Sequence, residues 1–239
     1  MNDVLRHHLD GFHERVDGLI AEVKPKLRGW LHLAVAPVAL IAGIVLIALS
    51  PDATSRIGSA VFVLSAVLLF TVSAIYHRGT WSPRVHTFLQ RFDHSNIFLL
   101  IAGSTTPFSL LLLGGTDRVV MLSVMWGGAI AGVAMKLLWA GAPRWLSAPI
   151  YIALGWAPVF FFGDFVQGAR EYGPGLGTAT LVLIVAGGAL YTLGGLVYGF
   201  KRPNPWPRWF GFHEVFHTFT IVAFITYYVG VSVATYSLR

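Results

Sequence analysis

Seven long apolar stretches dominate the pattern of hydrophobic and polar positions along the chain. Each contains about 20 residues, enough for a helix rising about 1.5 Å per residue to cross the ~30 Å hydrocarbon core of a bilayer. They are apolar nearly all round and lack the alternation of period two that a membrane barrel needs. Internal prolines, Pro37, Pro107 and Pro158, predict kinks. The predicted transmembrane helices cover residues 31–50, 57–77, 95–113, 119–139, 147–167, 178–200 and 213–235.

The first 30 residues follow a different pattern. Apolar residues recur there every three or four positions among charges, which predicts a short amphipathic helix on the membrane face. A signal peptide is a poor interpretation, because the first apolar run starts thirty residues in and six more follow. We therefore expect an all-α integral membrane protein with a cytoplasmic N-terminal segment, 1–30, and a seven-helix transmembrane domain, 31–239.

Basic residues predict the orientation of this bundle. Twelve lie in the N-terminal tail and in the loops after the second, fourth and sixth spans, against four on the other side. By the positive-inside rule the N-terminus is cytoplasmic and the C-terminus lies outside. This asymmetry and anionic lipid headgroups account for the net charge of +6, so no nucleic-acid partner is predicted.

Composition supports a membrane protein and narrows its chemistry. Of the 239 residues, 55% are hydrophobic and 12% are charged, about half the usual charged share of soluble proteins. The mean hydropathy is +0.67. Cysteine is absent, so any metal must be held by His, Asp or Glu.

Ionisable residues at membrane depth are costly and therefore mark candidate functional sites. In the predicted topology His77 ends the second span, with Ser73 one turn deeper, and Asp93 opens the third span. His213 and His217 begin the seventh span at the same cytoplasmic face. Three distant segments thus bring polar side chains to one depth.

His213 and His217 are four residues apart, so both rings project from one helical face and can reach a single metal ion. Together with Glu214 they spell H-E-x-x-H, a motif in which Glu is the general base beside zinc. The pentapeptide alone is a moderately specific signal, and the alternative is a pair of interfacial polar residues.

A third ligand must lie upstream, because residues 218–239 contain no His, Asp or Glu. The candidates are His77 and Asp93. If His77 is the third ligand, three neutral imidazoles and one open position make a catalytic zinc site. Asp93 and Ser73 are then available to orient a water molecule or act as its base.

Each remaining polar residue has a simpler interpretation. Asp93 could cap the third span, and Ser73 could hydrogen-bond to its own helix. His94 points about 100° away from Asp93 on a helix, and His32 near the inner end of span one lacks an obvious partner, so both are interpreted as structural. Glu214 is rotated away from the histidine face and is less favoured as the base than Asp93.

Three motifs in order resemble the bacterial hemolysin III family, the prokaryotic branch of the progestin and adipoQ receptors, which include the adiponectin receptors. The likeness extends from about residue 24 to the end of the seventh span. The motifs are Ser73-x-x-x-His77, the run Asp93-His94-Ser95-Asn96 continuing to Thr106-Pro107-Phe108, and Lys201-Arg202-Pro203-Asn204-Pro205 leading into Phe210-Gly211-Phe212-His213-Glu214-x-x-His217.

The resemblance implies seven helices with a cytoplasmic N-terminus in a bacterial inner membrane. It implies zinc bound by His77, His213 and His217, with Ser73 and Asp93 near the bound water. Eukaryotic relatives are linked to ceramidase activity, and bacterial relatives to a lytic phenotype and to membrane-lipid homeostasis.

Two functional hypotheses follow from the sequence. The first is a zinc-dependent hydrolase of a lipid amide or ester, whose substrate enters from the bilayer between kinked helices. The second is a non-enzymatic receptor-like sensor, channel or hemolytic pore in which zinc only clamps helices. Polar groups collect at one end of the spans instead of running through them, which argues modestly against a channel. Membrane lipids are the only partners predicted.

Overall fold

The computed structural model describes residues 25–139 and 143–238. Most of the predicted N-terminal amphipathic helix lies outside the described residues. Within them the chain forms eight α-helices and one short 3₁₀ helix. The α-helices are α1 Trp30–Leu49, α2 Ala53–Arg78, α3 Pro83–Leu112, α4 Gly115–Leu138, α5 Arg144–Trp156, α6 Phe162–Arg170, α7 Gly173–Phe200 and α8 Phe212–Tyr236.

Seven helical segments of the described chain are long and apolar enough to cross a membrane, which confirms the predicted number of spans. The fifth of these is composite. It consists of α5, a 3₁₀ turn over Ala157–Phe161 and α6. Pro158 lacks the backbone N–H that a continuous α-helix would need, so the predicted kink takes the form of a tighter turn.

The third span begins earlier than its apolar run. Helix α3 starts at Pro83, with Ser82 at the N-cap, instead of at about residue 95. Residues 84–92 mix charged and apolar side chains, so hydropathy alone does not mark them as part of the span. The idea that Asp93 caps this helix is therefore wrong, because Asp93 lies well inside it.

The core of the bundle lies between the second, third and last spans. Four phenylalanines there, Phe62, Phe70, Phe98 and Phe108, are almost completely buried. The second and third spans are the most buried of the seven, whereas most of the first span faces outward, as expected for a helix in contact with lipid.

A short segment before the first span closes one end of the bundle. The amide of Lys26 donates to the carbonyl of Arg208 at 3.1 Å, and that of Leu27 to Trp209 at 3.2 Å. Gly29 follows with φ of 82°, and a Cβ there would lie 2.7 Å from the Cβ of His77. Glycine is required by both this left-handed conformation and this close approach.

Candidate metal centre

Three histidines from two spans meet at this end of the bundle. His77 lies in the last turn of α2, and His213 and His217 lie in the first two turns of α8. All three are buried, and one ligand nitrogen from each lies within 4.8 Å of the other two. The Nε2 atoms of His77 and His213 are 3.1 Å apart.

This donor set fits a divalent metal ion. Two nitrogens bound to the same tetrahedral zinc at about 2.0–2.1 Å lie about 3.3 Å apart, close to the observed separation of His77 and His213. The Nδ1 atom of His217 is buried and has no partner among the described residues. The geometry therefore supports a site for a divalent metal ion.

Asp93 and Ser73 lie beside the histidines. The Oδ2 atom of Asp93 is 3.7 Å from the Nε2 atom of His77, and the Asp93 side chain is only 9% exposed. The side chain of Ser73 is also buried and neighbours the Asp93 carboxyl group. The structure thus brings together all five residues that the sequence singled out.

Glu214, the acidic residue of the H-E-x-x-H motif, faces away from this cluster. One carboxylate oxygen accepts a hydrogen bond from Nε of Arg28, with which it forms an ion pair. The other accepts from the backbone N–H of Gly211 at 2.8 Å. Both oxygens are engaged in holding the start of α8, so Glu214 is poorly placed to act as a base.

A cavity extends from the histidines into the membrane-spanning part of the bundle. Ser73, Asp93, His213 and His217 lie at one end. Ser104, eleven residues beyond Asp93 on α3, is about 16 Å farther along the helix axis. Between these ends the walls are mostly apolar, and they include Ile97, Leu100, Ile101, Ile152, Gly155 and Phe216.

Sequence reasoning missed two neighbours of the cluster. The ring of His32 stacks on that of His217, with centroids 3.8 Å apart and an interplanar angle of 15°. Tyr151 also lines the cavity, and its hydroxyl donates to the carbonyl of His94 at 3.1 Å. The position of His32 within an apolar span was a sign that it could be functional, but its stacking partner, His217, is distant in sequence. His94, interpreted as structural, lines the cavity as well.

The fold and the cluster define a multi-pass cell membrane protein with a buried three-histidine site that opens into an apolar cavity. The chain belongs to the haemolysin-III related family, whose model matches residues 20–228. This match confirms the resemblance drawn from the three motifs.

Individual relatives agree with this assignment. The chain is 28% identical to Hemolysin-3 of Bacillus cereus over 169 residues, which cover 71% of each protein. It is 29% identical to the Hemolysin-3 homolog of Bacillus subtilis over 161 residues, covering 67% of this chain and 69% of the relative. A more distant similarity, 27% over 192 residues, links it to the adiponectin receptor protein of Drosophila melanogaster, covering 72% of this chain and 41% of the receptor.

Proposed function

We propose that this protein is a zinc-dependent hydrolase of lipid amides or esters that contributes to membrane-lipid homeostasis. His77, His213 and His217 are the proposed zinc ligands, Asp93 the general base and Ser73 its partner. One observation carries the proposal: a buried carboxyl group lies 3.7 Å from one of three clustered imidazoles, at the end of an apolar cavity.

The proposed chemistry divides among a few side chains. A bound zinc ion would polarise the substrate carbonyl and lower the pKa of a water molecule to about 7. Asp93 accepts the proton of the attacking water, and its position beside His77 puts it within reach of a molecule at the cluster. Ser73 hydrogen-bonds to Asp93 or to the water and fixes its orientation.

The surroundings of the cluster suit a lipid substrate. Apolar walls accommodate acyl chains, while the histidines and the carboxyl group of Asp93 are gathered at one end, where a carbonyl group would be placed. A lipid already dissolved in the bilayer reaches such a cavity between helices without crossing water. A ceramide-like amide is the substrate class that we favour.

The non-enzymatic alternative also has support. The contact between His77 and His213 joins the second and last spans, so a metal there would clamp two helices whatever else it does. Two relatives carry the name hemolysin. In that case the metal is structural, and Asp93 has no role in turnover.

The first test is metal analysis of the purified protein, followed by mass spectrometry of membrane lipids incubated with it. We expect about one zinc per chain and the release of a fatty acid from an amide or ester lipid. His77→Ala should lose zinc, whereas His86→Ala, which changes an exposed histidine outside the cluster, should retain it. Full zinc stoichiometry in His77→Ala would show that the three-histidine site is wrong.

A further inference from the structure

His32 is a fourth histidine at the cluster with no assigned role. It lies in the first turn of α1 and is 1% exposed. One face of its ring stacks on His217, and Phe70 packs against it edge-on with centroids 5.1 Å apart. It does not belong to the group of three whose nitrogens converge. The ring is therefore packed against two other rings beside the site and lies outside the metal-binding set.

Both ring nitrogens of His32 are buried, and neither has a hydrogen-bond partner among the described residues. Burying an unpaired polar group is unfavourable, and buried nitrogens in folded proteins are nearly always bonded. Stacking alone does not explain a histidine here, since a phenylalanine would stack equally well and has no polar atom to bury. The nitrogens therefore require a partner from outside the described residues.

The cavity determines where that partner lies. His32 lines it together with Ser73, Asp93 and His217. Because the rings of His32 and His217 are stacked 3.8 Å apart, His32 lies directly beside a proposed zinc ligand in the lining of this cavity. A neutral imidazole offers one donor and one acceptor nitrogen. A carbonyl oxygen at the metal end of the cavity can accept from the donor.

We infer that His32 is a substrate-binding residue, whose ring N–H donates a hydrogen bond to the carbonyl oxygen of the lipid amide or ester in the cavity. The inference rests on the proposed function and names the group that the site recognises. A donor in this position also stabilises the negative charge that develops on that oxygen during hydrolysis. His32 thus links recognition of the carbonyl group to its reaction.

The test uses two ligands that the protein cannot hydrolyse. Dioctyl ketone has a carbonyl group between two alkyl chains, and heptadecane has the same chain length without it. Binding of each to the zinc-loaded, full-length protein in detergent is measured by calorimetry for the wild type, His32→Phe and His32→Gln. Phe70→Leu is the matched control, because it disturbs packing around His32 and leaves its nitrogens in place.

We expect His32→Phe to weaken ketone binding about five- to tenfold, the loss of one hydrogen bond, with no change for heptadecane or in zinc content. His32→Gln, which restores a donor, should recover part of the preference for the ketone over heptadecane. Phe70→Leu should keep that preference. Equal ketone affinity in wild type and His32→Phe would overturn the inference. So would loss of zinc from His32→Phe, since His32 would then act through His217.

The two proposals can fail separately. If the wild type hydrolyses no lipid but prefers the ketone in a manner that depends on His32, the hydrolase proposal is wrong and the carbonyl-binding role stands. If lipid hydrolysis is seen and His32→Phe retains both turnover and ketone binding, the hydrolase proposal stands and the carbonyl-binding role of His32 is wrong.

Discussion

Arg28 and Glu214 form an ion pair that joins the segment before the first span to the first turn of the last span. Glu214 is completely buried, while the Arg28 side chain is 18% exposed. The carboxylate also bonds to the backbone of Gly211, where α8 begins. Since His213 directly precedes Glu214, this pair fixes the backbone that carries the first histidine of α8.

We expect Arg28→Ala to lower stability by about 3 kcal/mol, because it leaves a buried carboxylate without its counter-charge. Glu214→Ala removes the carboxylate itself and should cost less, since Arg28 can still reach water. The double variant should be more stable than the sum of the two losses predicts, with a coupling of about 1–3 kcal/mol. Thermal unfolding in detergent measures all three.

Arg84→Ala is a suitable control, because Arg84 is an exposed basic residue near the same end of the bundle. It should change stability by less than about 0.5 kcal/mol. Strict additivity of Arg28→Ala and Glu214→Ala would show that the ion pair is not energetically important. Weaker zinc binding in Arg28→Ala would further indicate that the pair positions His213.

Periodicity and hydropathy predicted the number of spans because a bilayer imposes its own thickness on an apolar helix. They did not predict where α3 begins, since residues 84–92 are helical without being apolar. Nor did they predict that the fifth span is divided, although Pro158 pointed to the place. Where a helix extends beyond its apolar stretch, and where a span is divided, depends on packing, which a hydropathy pattern does not reveal.

The five candidate site residues were found because ionisable and polar groups are rare at membrane depth. The pairing of Arg28 with Glu214 was not predicted, because it joins residues 186 positions apart and Arg28 lies in a turn outside the spans. The stack of His32 on His217 was missed for a similar reason. Sequence reasoning places both histidines near the same end of the bundle, but it does not give the rotation of each helix about its axis, which decides whether their rings meet.

Asp52 gives a test of pH dependence outside the membrane-spanning segments. Its Oδ1 atom accepts from the backbone N–H of Ser55 at 2.9 Å and caps α2. This hydrogen bond holds the pKa of Asp52 below its ordinary value. A depressed carboxyl pKa stabilises the folded state above the unfolded-state pKa, and that contribution is lost as pH falls through the folded-state pKa.

We therefore expect Asp52→Ala to cost about 0.5–2 kcal/mol at neutral pH. Asp52→Asn keeps a capping side chain and lacks the charge, so it should lose less stability than Asp52→Ala. Its loss of stability relative to the wild type should disappear as pH falls below about 4, because Asp52 of the wild type then becomes protonated. Unfolding of the three proteins is compared between neutral and acidic pH. A deficit of Asp52→Asn that grows in acid would contradict the direction of the shift.

Two glycines make a matched pair for helix packing. A Cβ at Gly168 would collide with the backbone carbonyl oxygen of Leu112, which cannot move aside as a side chain can. A Cβ at Gly127 meets nothing within 4 Å. Gly168→Ala should therefore destabilise the protein by about 1–3 kcal/mol, and Gly127→Ala should be neutral or stabilising by up to about 1 kcal/mol. Equal melting temperatures for the two variants would contradict this packing.

The proposed role of Asp93 leads to a clear separation of metal binding from turnover. Asparagine has nearly the shape of aspartate but cannot accept a proton as a general base, so Asp93→Asn should retain zinc and reduce lipid hydrolysis about 10²–10⁴-fold. Ser73→Ala should also retain zinc and should lose less activity, because it removes a partner of Asp93 and leaves the base. Zinc content and released fatty acid are measured on the same preparations. Unchanged hydrolysis in Asp93→Asn would falsify its assignment as base, whereas loss of zinc would mean that the carboxyl group at 3.7 Å from His77 belongs to the metal site itself.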